Sequence, residues 1–93
     1  MDVLIARRYL VRGLVQGVGF RFFTEAAASR EGLCGYVRNL ADGQVEALVE
    51  GYEEAVARFE RLIHRGPPLA RVDGVTKEGL PPTGRFAGFA IRR

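Results

Sequence analysis

Cysteine is almost absent from this chain. Cys34 stands alone, so no intrachain disulfide can form and no cysteine-based metal site can be assembled within one chain. Histidine is as scarce, and His64 falls on a different predicted helix from anything near Cys34, which leaves a Cys–His nucleophilic pair without support. Cys34 is therefore expected to be a small buried side chain, and His64 a residue favourably placed at a helix C-terminus. Long apolar runs are missing too: no window nears the ~18 consecutive apolar residues of a membrane span. Met1–Arg7 carries no apolar signal core with a cleavage site behind it. The expectation is a cytoplasmic protein with no membrane partner. Repeats and low-complexity tracts are also lacking.

What is present is a chain of 93 residues, 47% apolar, with a net charge of +3. That length allows one domain, expected to span residues 1–93, with one core and a shallow site. Lys77 is the sole lysine, so the positive charge is nearly all arginine; it suits anionic ligands without requiring nucleic acid.

Alternation over Arg8–Leu14 sets Tyr9 and Val11 on one face and Arg8, Leu10 and Arg12 on the other, as in a half-buried strand. A helix is expected over Arg21–Leu33, with Gly32 as its stop. Two antiparallel strands, Gly35–Leu40 and Gln44–Glu50, flank the hairpin signal Asp42-Gly43. The second puts Val45, Ala47 and Val49 on a covered face and Glu46 and Glu50 on a wetter one. Val56, Phe59 and Ile63 mark an amphipathic helix over Glu53–His64, ended by Gly66-Pro67-Pro68, with Glu53, Glu54, Arg58, Glu60 and Arg61 as its solvated face. Arg71–Glu78 and Phe86–Ile91 complete the strands. The order is that of a ferredoxin-like split βαβ sandwich of the α+β class: βαββαβ plus a short C-terminal strand, two helices on one face of a mostly antiparallel sheet. Such a fold hosts enzymes and binding modules alike, so function must be read from a site.

The run Gly13-Leu14-Val15-Gln16-Gly17-Val18-Gly19-Phe20-Arg21 joins the first strand to the first helix. Gly17 and Gly19 can take positive φ and let a ligand approach the backbone, so successive N–H groups can converge on one oxyanion. Arg21 at a helix start opposes the macrodipole by ~0.3–1 kcal/mol, a penalty that reverses when a phosphate lies between them. In isolation, a glycine-rich turn is equally a plain connection, Asn39 a strand-end residue bonding its own backbone, and Arg21 a solvated side chain.

Two segments together resemble the acylphosphatase family: Val15-Gln16-Gly17-Val18-Gly19-Phe20-Arg21, matching a Gly-x-Val-Gln-Gly-Val-x-Phe-Arg signature, and Gly35-Tyr36-Val37-Arg38-Asn39 followed by Asp42-Gly43. Gly66–Val72 and the closing Gly88-Phe89-Ala90-Ile91 also look like bacterial members. Tyr36 stands where many of those carry tryptophan. The resemblance implies hydrolysis of an acyl phosphate, a small-molecule substrate, to carboxylate and inorganic phosphate, without a metal or organic cofactor; inorganic phosphate is expected as an inhibitor too, and the protein is expected to be a monomer with no nucleic-acid partner. It further implies that Arg21 binds the phosphate, that the amides of Gln16, Gly17, Val18, Gly19 and Phe20 line its cradle, and that Asn39 orients the attacking water. No Asp, Glu or His falls inside either motif, so a substrate phosphate oxygen is expected to take the water's proton. Phe20, Phe22 and Tyr36 are expected to pack or buttress the loop, and Arg38 to point away from Asn39. The alternatives are a non-catalytic phosphate- or RNA-binding module on the same fold, and a regulatory domain of the kind fused to larger enzymes. Against RNA, no aromatic-rich central-strand motif is present. Against P-loop nucleotide hydrolysis, no Gly-Lys followed by Ser or Thr occurs.

Overall fold

Strand alternation begins earlier than the apolar pattern suggested: β1 runs from Leu4 to Leu14. The computed structural model describes residues 3–93. After β1 come α1 (Phe20–Arg30), β2 (Cys34–Asn39), β3 (Val45–Tyr52), α2 (Glu53–Arg65), β4 (Arg71–Leu80) and β5 (Phe89–Arg92). One sheet results, in the order β4-β1-β3-β2-β5, antiparallel except for the parallel β2–β5 pair. This is the expected βαββαβ plan with its terminal strand.

Period-two alternation gives the sheet one apolar face, where Tyr9, Val11, Val37, Val45, Ala47 and Val49 are all buried. Phe20, Ala27 and Ala28 of α1 and Val56, Phe59 and Ile63 of α2 close over that face in a single core. The ends of α2 suit its dipole, with Glu53 and Glu54 in the first turn and His64 and Arg65 in the last. Helix α1 stops three residues short of Leu33. The Leu33 N–H donates to Ala28 O (2.9 Å) and the Gly32 N–H to Ser29 O (3.1 Å), a Schellman closure that turns Leu33 back into the core. Among the described residues no helix is long and apolar enough to cross a membrane.

Several side chains depart from expectation, each because of a partner distant in sequence. Glu46 and Glu50 do lie on the face away from the helices, but neither is wet. The pairing of β3 with β1 and β2 sets Glu46 between two arginines: Arg8 Nε donates to its Oε2 (2.6 Å) and Arg38 Nε to its Oε1 (2.5 Å), leaving it 2% exposed. Burial would raise the Glu46 pKa, but the bonds from Arg38 and Arg8 outweigh it and hold the carboxyl below its ordinary value. Glu50 accepts from the Thr83 and Gly84 amides and the Thr83 hydroxyl, fastening the segment before β5 over its end of the sheet.

Glu60 is no freely solvated residue either. It accepts from the Tyr9 hydroxyl (2.9 Å) and from Lys77 Nζ (3.0 Å). Cys34 is half-buried rather than buried, because it borders an apolar cleft shared with Leu4, Tyr52, Pro82 and Phe86. The last strand is shorter than Phe86–Ile91. Its pairing with β2 begins at Phe89, the preceding Gly88 carbonyl accepts from the Gly35 N–H (2.9 Å), and Phe86 turns onto the Tyr36 ring instead (centroids 6.1 Å apart).

Candidate active site

The loop between β1 and α1 is held at both ends by apolar side chains, Val15 at 1% exposure and Phe20 at 2%, with Val18 packed partly against the core. Between these anchors the backbone turns outward. Gly17 (φ 75°) and Gly19 (φ 79°) occupy the left-handed region, where any side chain would be strained, and a Cβ on either would meet only open space. The strain, not crowding, is what asks for glycine here.

Gly19 is also the N-cap of α1. It brings no side chain to cap the helix, and the first turn holds no acidic residue. The first backbone bond of the helix runs from the Phe23 N–H to Gly19 O (3.0 Å), so the amides just before Phe23 lie outside the helical ladder at the positive end of the dipole. Arg21 adds a full charge at that end. Its Nη1 lies 3.4 Å from the Arg92 carbonyl, toward which it donates, so the tip of β5 helps to aim the guanidinium.

Asn39 reaches the same place from the sheet. As the last residue of β2 it faces Val45 and shares the helix-side face with Val37, whereas Arg38 points to the opposite face and onto Glu46, as alternation requires. A cleft of about 220 Å³ is lined by Val15, Gly17, Gly19, Phe20, Arg21, Phe22 and Asn39. Among the described residues Asn39 Oδ1 is buried and has no hydrogen-bond partner. An orphaned buried acceptor costs ~1–3 kcal/mol, and such exceptions to polar pairing call for an explanation in function or bound solvent.

Gly17, Gly19, Phe20, Arg21 and Asn39, drawn from two motifs 18 residues apart (Arg21 to Asn39), thus meet in one cleft. Gln16 and Val18 do not line it. Gln16 Nε2 instead donates to Leu40 O (2.7 Å) and Gln44 O (2.9 Å), tying the loop to the β2–β3 hairpin just beyond Asn39. Both partners are carbonyl oxygens, which fixes the orientation of the carboxamide. The motif marked Gln16 only for its amide; nothing local could reveal that its side chain spans to the hairpin. Phe22 is the second surprise. Instead of packing, it is 71% exposed at the rim of the cleft, while Phe20 is buried; Tyr36 lies on the sheet face away from the helices, against Phe86 and beneath the Arg92 guanidinium at 4.1 Å.

Chemically, the cleft offers amide donors, one guanidinium and one carboxamide, and no carboxylate or imidazole among its lining residues. Among the described residues there is no cluster of three or more His, Cys, Asp or Glu able to hold a metal ion. Donors of this kind suit a tetrahedral oxyanion bearing several negative oxygens.

A family model described as acylphosphatase matches residues 7–91. The chain belongs to the acylphosphatase family. Similar acylphosphatases include that of Pseudomonas paraeruginosa, 57% identical over 83 residues that cover 89% of this chain and 90% of the relative. That of Aeropyrum pernix is 52% identical over 92 residues, covering 98% and 91%. The crystal structure of acylphosphatase from Bacillus subtilis superposes with a TM-score of 0.92 at 35% identity, covering 98% of this chain and all of the other. The sequence motifs therefore pointed to the right enzyme family, and the chain is a hydrolase of the acylphosphatase class with that fold.

Proposed function

We propose that the enzyme cleaves the carboxyl–phosphate bond of acyl phosphates in the cleft between the 15–22 segment and Asn39, without a metal ion. The observation that carries this reading is the buried, unpartnered Asn39 Oδ1 bordering the same cleft as Arg21 and the open end of α1. A phosphoryl group needs positioning and positive potential at its equatorial oxygens. The amides of Gly17, Gly19 and Phe20, which border the cleft, and the dipole of α1 provide part of that, and the planar fork of Arg21 grips two oxygens at once, which a lysine could not.

Asn39 Oδ1 accepts from a water and sets its lone pair toward phosphorus. The water oxygen bonds to phosphorus, the P–O bond to the acyl oxygen breaks, and the carboxylate leaves with the electron pair. One water proton stays on the attacking oxygen, and the other passes to a non-bridging oxygen of the same phosphate, giving dihydrogen phosphate. A carboxamide is no base at neutral pH, and no other cleft side chain can take the proton.

Benzoyl phosphate hydrolysis in the presence of EDTA tests this. Wild type is expected to be active, and Arg21→Ala and Asn39→Ala to lose ~10²–10³-fold in turnover, the usual cost of one preorganised donor. Arg21→Ala should also relax inhibition by inorganic phosphate, while Asn39→Ala keeps it. Equal phosphate inhibition in wild type and Arg21→Ala would overturn the assigned roles.

A further inference from the structure

The first turn of α1 carries three phenylalanines with different fates. Phe20 is buried and its ring packs against Phe23, centroids 6.1 Å apart, but Phe22 is left 71% exposed. Single exposed apolar residues are ordinary on a protein surface. Phe22 is set apart by its place: it follows Arg21 directly and lines the same cleft as Gly19, Arg21 and Asn39. It stands open to whatever enters the cleft.

The geometry of the proposed reaction says which part of the substrate that is. In-line displacement puts the breaking bond opposite the incoming oxygen. In that reading the water sits at the end of the cleft where Asn39 Oδ1 is buried. The departing carboxylate and its acyl substituent therefore point outward, to the exposed end where Phe22 stands. We propose that Phe22 is the specificity residue for the acyl group, receiving flat apolar substituents such as a benzoyl ring in preference to small ones such as acetyl. The inference rests on the functional reading above and adds the substrate class to it.

The test compares kcat/KM for benzoyl phosphate and acetyl phosphate in wild type, Phe22→Ala and Phe22→Leu, with thermal melting to check folding. Phe22→Ala should lower the benzoyl-to-acetyl ratio about fivefold, the worth of one aromatic contact, mainly through KM. Phe22→Leu, which keeps an apolar body without a ring, should fall between. Dividing each ratio by that of wild type removes the intrinsic reactivity difference of the two substrates. An unchanged ratio in folded Phe22→Ala, with wild type hydrolysing both compounds, overturns the role of Phe22. Wild type inert toward both would instead overturn the functional reading itself.

Discussion

Replacing Gln16 by methionine removes a clamp without touching any group that lines the cleft. Its carboxamide makes two bonds, to Leu40 O at 2.7 Å and Gln44 O at 2.9 Å. Neither carbonyl would be orphaned. Leu40 O still accepts from the Gly43 N–H (3.2 Å) and Gln44 O from the Leu40 N–H (2.8 Å), so the cost is that of the bonds themselves rather than of bare buried acceptors. At ~1 kcal/mol each, Gln16→Met should lose about 2 kcal/mol of stability. For a domain of this size that is a fall in Tm of roughly 10 °C. Activity should suffer more than stability, because the clamp sets the distance between the loop that holds phosphate and the strand that carries Asn39. A displacement on the order of 1 Å can cost ~10²-fold in rate. Gln16→Glu sharpens the case: it is nearly isosteric but turns an acceptor toward two carbonyl oxygens and brings a negative charge near the phosphate. It should be worse than methionine in both respects. Thermal melting and benzoyl phosphate kinetics on the three proteins decide the matter, and a Gln16→Met enzyme with wild-type Tm and kcat would refute the clamp.

Asn39→Ala, slowed ~10²–10³-fold in the scheme above, should melt at or above the wild-type temperature, because it deletes a buried acceptor that lacks a partner among the described residues; a marked loss of Tm would mean that Asn39 serves the fold instead. Acid should expose the Arg8–Glu46–Arg38 cluster. The folded-state pKa of Glu46 is depressed, so its contribution is fully present above the unfolded value of about 4.3 and is lost as pH falls through the folded value. The stability gap between wild type and Glu46→Gln, measured by urea denaturation, should thus be widest near neutrality and narrow below about pH 4. A gap that stays constant as the pH is lowered from neutrality to well below the unfolded value of about 4.3 would count against the paired carboxylate.

Whatever depends on a few adjacent residues was legible beforehand. Positive φ at Gly17 and Gly19 follows from the turn that must join a strand to a helix, the hairpin from Asp42-Gly43, and the face of Asn39 from alternation with Val37. Backbone sterics and side-chain period act over one to four residues, and a single sequence records them. The family motifs carried the pairing of Arg21 with Asn39, which physics alone could not extract from 18 residues of separation.

Tertiary structure decided who stands next to whom. Glu46 disappears between Arg8 and Arg38, Glu60 receives the Tyr9 hydroxyl, Gln16 crosses to the hairpin, and Phe22 alone of three neighbouring rings stays in water. Each outcome depends on strand order and register, and a slip of one residue would exchange every inward side chain for an outward one. Those choices are made by the packing of the whole core, so no stretch of the chain contains them by itself.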